Sequence, residues 1–202
     1  MYIDGPIRKY LDDLAARKPM PGGGSAAALS ASIGVSLMSM VVNYTIGNPK
    51  YKDVEDKMIG IKPKIEHFGL TLRDLIDKDV EAYNKLVKGM KEHGKDPSKM
   101  DEIYKEATGP VFEICKITSE CLKLAKDIAE HGNVKLITDT AVAVILLEGA
   151  FFSAKFNVYI NLKHIKDLEY IERVHGVLSP LEDEMPRLKE EALHRCEEVI
   201  AK

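Results

Sequence analysis

The stretch PMPGGGSAAALSASIGVSLMSMVVNYTIGNP, residues 19–49, contains no Asp, Glu, Lys or Arg, in a chain that is 30% charged overall. Such a block is a membrane span, a nucleotide loop opening a helix, or an interior helix. It is long enough to span a bilayer. It is also rich in Ser, Ala and Gly and poor in Leu, Ile and Phe, so its transfer into lipid is weakly favourable. As a nucleotide loop, Pro21-Gly22-Gly23-Gly24-Ser25 lacks the Gly-Lys-Ser/Thr ending of a P-loop, and no strand precedes it. Three glycines still allow close backbone approach to a ligand, and a helix starting near Ser25 offers free N–H groups at its positive end. The plainer alternative is a glycine-rich turn with a serine cap. At about 100° per residue, Ser25, Ser32, Ser36, Ser39 and Asn43 fall on one stripe. Small hydroxyls in register either admit a closely packed helix or line a polar groove. Both readings make the block an inner wall.

Outward from the block, almost everything reads as helix. Period-2 alternation is nearly absent and no Asn-Gly or Asp-Gly hairpin signal occurs. Helices are expected over about 6–17, 25–46, 51–92 (bent near Gly60 and Pro63), 98–130 (kinked at Gly109-Pro110), 134–163 and 167–200. The last is expected to be interrupted around Ser179-Pro180 and Pro186. The expected fold class is therefore all-α: one multihelical domain over 1–202, built of long, mostly antiparallel helices. With 202 residues, 45% of them apolar, the chain can bury a substantial core. A net charge of −3 with both signs interspersed predicts no nucleic-acid partner. The opening MYIDGPIRKYLDDL carries charges where a signal peptide would be apolar. Cys115, Cys121 and Cys196 are odd in number and read as free thiols, so the expected location is cytoplasmic. The six histidines show no ligand spacing, and no metal site is expected.

Two further helices carry polar residues on apolar faces. On the fifth, Asp139, Ala143, Leu146, Ala150, Ser153, Asn157 and Asn161 share a face, with Glu148 and Lys155 opposite. Buried Asn and Asp need partners, which either a ligand or a packed helix or subunit can supply. On the third, Leu72, Leu75, Asp79, Tyr83, Leu86 and Met90 align, while Asp74, Asp77 and Glu81 point elsewhere. Asp79 thus interrupts an apolar stripe. A carboxylate there is costly unless paired or useful, and apolar surroundings would raise its pKa toward the acid/base range. The alternative is an ion pair with a neighbouring helix.

These stripes and the glycine turn coincide with four segments: Pro21-Gly-Gly-Gly-Ser-Ala-Ala-Ala-Leu29, Asp79-Val-Glu-Ala-Tyr83, His131-Gly-Asn-Val134 followed by Thr138-Asp139, and Phe156-Asn-Val-Tyr-Ile-Asn-Leu162. In that order and spacing the chain resembles the formiminotetrahydrofolate cyclodeaminases, including the C-terminal half of the animal formiminotransferase-cyclodeaminase and the stand-alone bacterial methenyltetrahydrofolate cyclohydrolases. The resemblance implies a multihelical homodimer that binds a reduced folate in a cleft close to the subunit interface. It also implies that Asp79 is the proton acceptor. Two positions depart from the family: the turn Gly47-Asn-Pro-Lys50, where a Gly-Lys turn is usual, and Lys155, uncharged in the animal enzyme.

The activity so implied is closure of 5-formiminotetrahydrofolate to 5,10-methenyltetrahydrofolate with release of ammonia. Asp79 would be its catalytic base and acid. The substrate-binding set would be Pro21, Gly22, Gly23, Gly24, Ser25, Tyr83, Asn133, Asp139, Asn157 and Asn161. No cofactor is required beyond the folate substrate itself, and neither nucleic acid nor membrane is an expected partner. Methenyltetrahydrofolate cyclohydrolase at the same site, and a non-catalytic helical interaction protein, are the competing readings.

Overall fold

The uncharged block folds as one helix of a computed structural model that describes every residue from Met1 to Lys202. The helices are α1 (Ile7–Ala15), α2 (Gly23–Thr45), α3 (Glu55–His93), α4 (Pro97–His131), α5 (Ile137–Leu162) and α6 (Leu168–Ile200), and there are no strands. Two 3-10 turns, Pro49–Val54 and Val134–Leu136, lead into α3 and α5. Local chemistry sets the boundaries. Helix α2 stops because Gly47 adopts φ 75°, a left-handed conformation that side chains resist. The Asn48 side chain then accepts from the Lys50 N–H and Pro49 opens the 3-10 turn. Asp96 and Asp167 cap α4 and α6 in the same way, accepting from the Lys99 and Tyr170 N–H groups.

Helix α6 departs from expectation. It runs unbroken through Pro180 and Pro186, just as α3 and α4 continue through Pro63 and Pro110. A proline removes one backbone bond and crowds one carbonyl. In α6 that cost is offset by burial of Leu178, Met185 and Leu188 around the prolines. Four ion pairs also fix α6 to its neighbours: Lys126–Glu191 at 2.8 Å, Lys189–Glu148 at 2.8 Å, Lys155–Glu182 at 2.9 Å and Lys123–Glu184 at 3.5 Å.

Helices α2, α3, α4 and α5 alternate up and down and close a ring, with α2 also touching α4 across the centre; α6 packs on α4 and α5. Along α2 the Gly34 backbone approaches Leu147 and the Ala143 carbonyl of α5 so closely that an added Cβ would lie 3.1–3.2 Å from them. The core includes Met38, Met58, Ile65, Leu72, Ile114, Leu122, Leu147 and Phe151.

The inner-wall reading of α2 needs correction on one side. Ser25 and Ser32 are buried, but Ser36 and Asn43 are exposed. The Ser32 and Ser36 hydroxyls donate to the Ala28 and Ser32 carbonyls of their own helix, and Ser36 and Ser39 line a shallow cavity with Glu66 and Arg73 of α3, away from the cleft described below. Both α2 and the segment 134–162 are long and apolar enough to cross a membrane by composition. Here they form adjacent ring members, each with one face against the core. Their other face is open and apolar. It carries Ile33 and Tyr44 from α2 and Val142, Ile145, Phe156 and Ile160 from α5, with Phe156 69% exposed. Glu148 and Lys155 of α5 turn to α6 instead, so this face is nearly free of charge.

Candidate active site

The glycine turn, Asp79 and the end of α5 converge. Pro19, Met20, Gly22, Gly23, Gly24, Asp79, Tyr83, Leu86, Ala107, Val111, Asn157, Ile160 and Asn161 line a cleft of about 190 Å³. Asp79 is its only charged wall residue.

Helix α2 begins without a capping side chain, since its N-cap is Gly22. Its first N–H groups therefore lack partners within the helix. Asp79 supplies one from α3: its Oδ2 accepts from the Ser25 N–H at 2.8 Å. Gly24 makes the approach possible. A Cβ at that position would sit 2.2 Å from Asp79 Oδ1 and 2.7 Å from Val111 Cγ1, distances that real Cβ atoms do not adopt. Burial pushes the Asp79 pKa up and the Ser25 N–H bond pulls it down; burial wins, and the carboxyl is raised to about 6. No basic side chain pairs with it, so the ion-pair alternative is not what this fold builds.

Tyr83 lies one turn beyond Asp79 on the cleft wall and is exposed. Asn157 packs its amide on Gly23 and donates through Nδ2 to the Ser153 carbonyl at 2.9 Å. Asn161 lines the cleft one turn further. Of the expected binding residues, Gly22, Gly23, Gly24, Tyr83, Asn157 and Asn161 thus surround Asp79.

Four others do not. Pro21 and Ser25 are buried behind the lining. The Ser25 hydroxyl, expected as a cap or ligand contact, instead meets the Tyr10 hydroxyl at 3.2 Å. Asn133 sits at the far end of α2, where the protein uses it fully. Its backbone N–H donates to Thr45 Oγ1 at 2.9 Å, its Nδ2 to the Tyr44 carbonyl at 3.1 Å, and its Oδ1 accepts from the Tyr51 hydroxyl at 3.2 Å. Asp139 shares the α5 face with Asn157, yet at 1.5 Å per residue it lies ~27 Å along the helix from it. Shared phase does not mean shared depth.

Sequence reasoning missed Pro19, Met20, Ala107, Val111 and Ile160 as lining. Ala107 and Val111 are four residues apart on α4, a spacing that puts them on one face, but nothing marked that face as a cleft wall. A larger cavity, about 330 Å³, lies elsewhere on α3 between Met1–Lys9 and Asp77–Glu81. Its buried carboxylate, Asp77, is occupied by the N–H groups of Tyr2 and Ile3 at 2.6 and 3.2 Å.

The site so built is a cleft with one unpaired carboxylate at the mouth of a glycine turn, in a six-helix all-α chain. Comparison with known proteins gives the particular family. The formiminotransferase-cyclodeaminase family model matches residues 6–179, and the chain belongs to that family. It is 37% identical over 173 residues to methenyltetrahydrofolate cyclohydrolase of Methylorubrum extorquens, spanning 82% of this chain and 83% of that protein. It is 29% identical over 186 residues to formimidoyltransferase-cyclodeaminase of Mus musculus, covering 89% of this chain but only 34% of the mouse protein. The crystal structure of formiminotetrahydrofolate cyclodeaminase from Thermotoga maritima superposes with a TM-score of 0.92 at 28% identity, covering 99% of this chain and 100% of that one. The chain is thus an enzyme of the folate one-carbon cyclodeaminase/cyclohydrolase family.

Proposed function

We propose that the cleft closes the one-carbon bridge of a reduced folate, and that Asp79 moves the proton on which closure depends. One observation carries this: a lone, half-buried carboxylate raised to about 6 facing a cleft with no other charge. In the proposed reaction N10 of 5-formiminotetrahydrofolate attacks the formimino carbon. The N10 proton, acidic once the new bond forms, passes to Asp79. The protonated acid then delivers it to the departing nitrogen, which leaves as ammonia. A group that titrates near neutrality suits both transfers. The product, 5,10-methenyltetrahydrofolate, is a delocalised cation that ionised Asp79 stabilises. Asn157 and Asn161 hydrogen-bond the pterin or the one-carbon unit, Tyr83 shields the carboxylate, and the N–H groups of Gly23 and Gly24 meet a polar part of the folate. The scheme calls for no metal or redox cofactor. Three buried free thiols suit a reducing cytoplasm.

A second reading is favoured by the 37% identity to a named cyclohydrolase of similar length. Water adds to the same cation, Asp79 takes its proton, and the ring opens. Near-ultraviolet absorbance of the methenyl product separates the two. Enzyme-dependent appearance from 5-formiminotetrahydrofolate, lost in Asp79→Asn, supports ring closure. Accelerated loss of absorbance from methenyltetrahydrofolate, with no appearance in the first assay, supports hydrolysis. Wild-type rates in Asp79→Asn would remove Asp79 from either mechanism.

Two observations favour a homodimer. A cleft of about 190 Å³ is smaller than the ~300–1,000 Å³ of typical small-molecule sites, and the open α2–α5 face is apolar and nearly uncharged. Ile160 belongs to both cleft and face, so a second copy seated there extends the cleft wall.

A further inference from the structure

Segment 1–15 reaches the site without lining it. Tyr10 is only 3% exposed, and its hydroxyl has one partner, the Oγ of Ser25 at 3.2 Å. Ser25 is fully buried, and its N–H is the hydrogen bond that holds Asp79. The Tyr2 ring packs edge-on against Tyr10 with centroids 5.3 Å apart, while the Tyr2 and Ile3 N–H groups grip Asp77, two residues before Asp79. Tyr2 in turn is tied to Asp13 by its hydroxyl, and Lys9 and Lys18 hold the same carboxylate. The segment therefore holds Ser25 directly and holds α3 two residues before Asp79. Ser25 itself follows three glycines, whose backbone has the most freedom to lose on ordering. Ser25 stands in the first turn of α2, where the helix holds it least firmly, and its hydroxyl goes to Tyr10.

We infer that Tyr10 is a positioning residue for Asp79: it anchors Ser25 so that the Ser25 N–H lies on the carboxylate. This rests on the reading of Asp79 as the base. Loosening the anchor weakens the one interaction that favours the ionised carboxylate and leaves the burial that opposes it. The surroundings offer no substitute. Helix α2 brings Gly23, Gly24 and Ser25, α4 brings Ala107 and Val111, and α5 brings Asn157 and Asn161, all uncharged; α1 brings only Tyr10 itself, and α3 adds Tyr83.

The test is the pH profile of kcat/KM for Tyr10→Phe, which removes one oxygen atom from a residue that otherwise keeps its packing. The wild-type acid limb is expected near pH 6. In Tyr10→Phe it should move up by about half a unit to one unit, with kcat reduced about tenfold and KM nearly unchanged. Ser25→Ala removes the other half of the contact and should reproduce the shift, and the double variant should add little to either. A lowered Tm with the acid limb and kcat at wild-type values would assign Tyr10 a purely structural role and overturn the inference. Non-overlapping effects of the two single variants would overturn it too. Full activity of Asp79→Asn would instead sink the underlying reading, so the two failures are distinguishable. Should either variant fold poorly, a carboxyl-carbon NMR titration of Asp79 in the other reads the same shift directly.

Discussion

At Asp79, function and stability pull in opposite directions. Its raised pKa means that folding disfavours the charged form. The stability it contributes is greatest below the ordinary carboxylate value and is lost as pH rises through about 6. Allowing for partial exposure, Asp79→Asn should gain up to ~2 kcal/mol over wild type at pH 8 and little at pH 4. Denaturant unfolding at the two pH values measures it, and a variant destabilised equally at both would contradict the burial argument. This residue was legible in the sequence because a carboxylate on an apolar helical stripe is conspicuous. Asn133 and Ser25 were not. A buried polar residue needs partners, but sequence does not say whether they are ligand or protein, and here Thr45, Tyr44, Tyr51 and Tyr10 provide them.

Among elements, the junction of α2 with α3 decides the site. The end of α2 has no cap of its own and borrows one across the cleft, with Gly24 as the gap through which the carboxylate reaches it. Gly24→Ala should push Asp79 off the Ser25 N–H and crowd Val111, reducing kcat by at least ~10²-fold and stability by about 1–3 kcal/mol. Rate and melting temperature together check this; an active, stable alanine variant would show that the contact is dispensable. The helices themselves were readable from periodicity and from Gly and Pro punctuation. Continuity through Pro63 and Pro110 was expected and is found, whereas the unbroken run of α6 through Pro180 and Pro186 was not readable, because it depends on what packs around each proline.

For the whole molecule, the uncharged helix α2 and its neighbour α5 serve two surfaces. Their inner sides build the core, and their outer sides form the apolar α2–α5 face. Periodicity identified the first role and overlooked the second, since Ile33, Ile145 and Phe156 look like core residues until the ring is closed around them. A charge placed on that face should oppose a second copy. Ile145→Glu is expected to shift sedimentation from dimer toward monomer and to lower activity by shortening the cleft wall, with helical content preserved. Wild-type sedimentation that is already monomeric at assay concentration would refute the homodimer.

The borrowed cap has one more consequence. A helix end beside a cleft normally attracts dissolved anions, but in this protein Asp79 is already seated at the Ser25 N–H. The cleft holds a resident anion. Small carboxylates and phosphates in the surrounding solution meet a like charge where they would otherwise find a berth, whereas a flat, charge-delocalised cation meets its counter-ion at the same spot. Selectivity by sign is thus built into the way two helices are tied together, before any contact to a particular substrate is made.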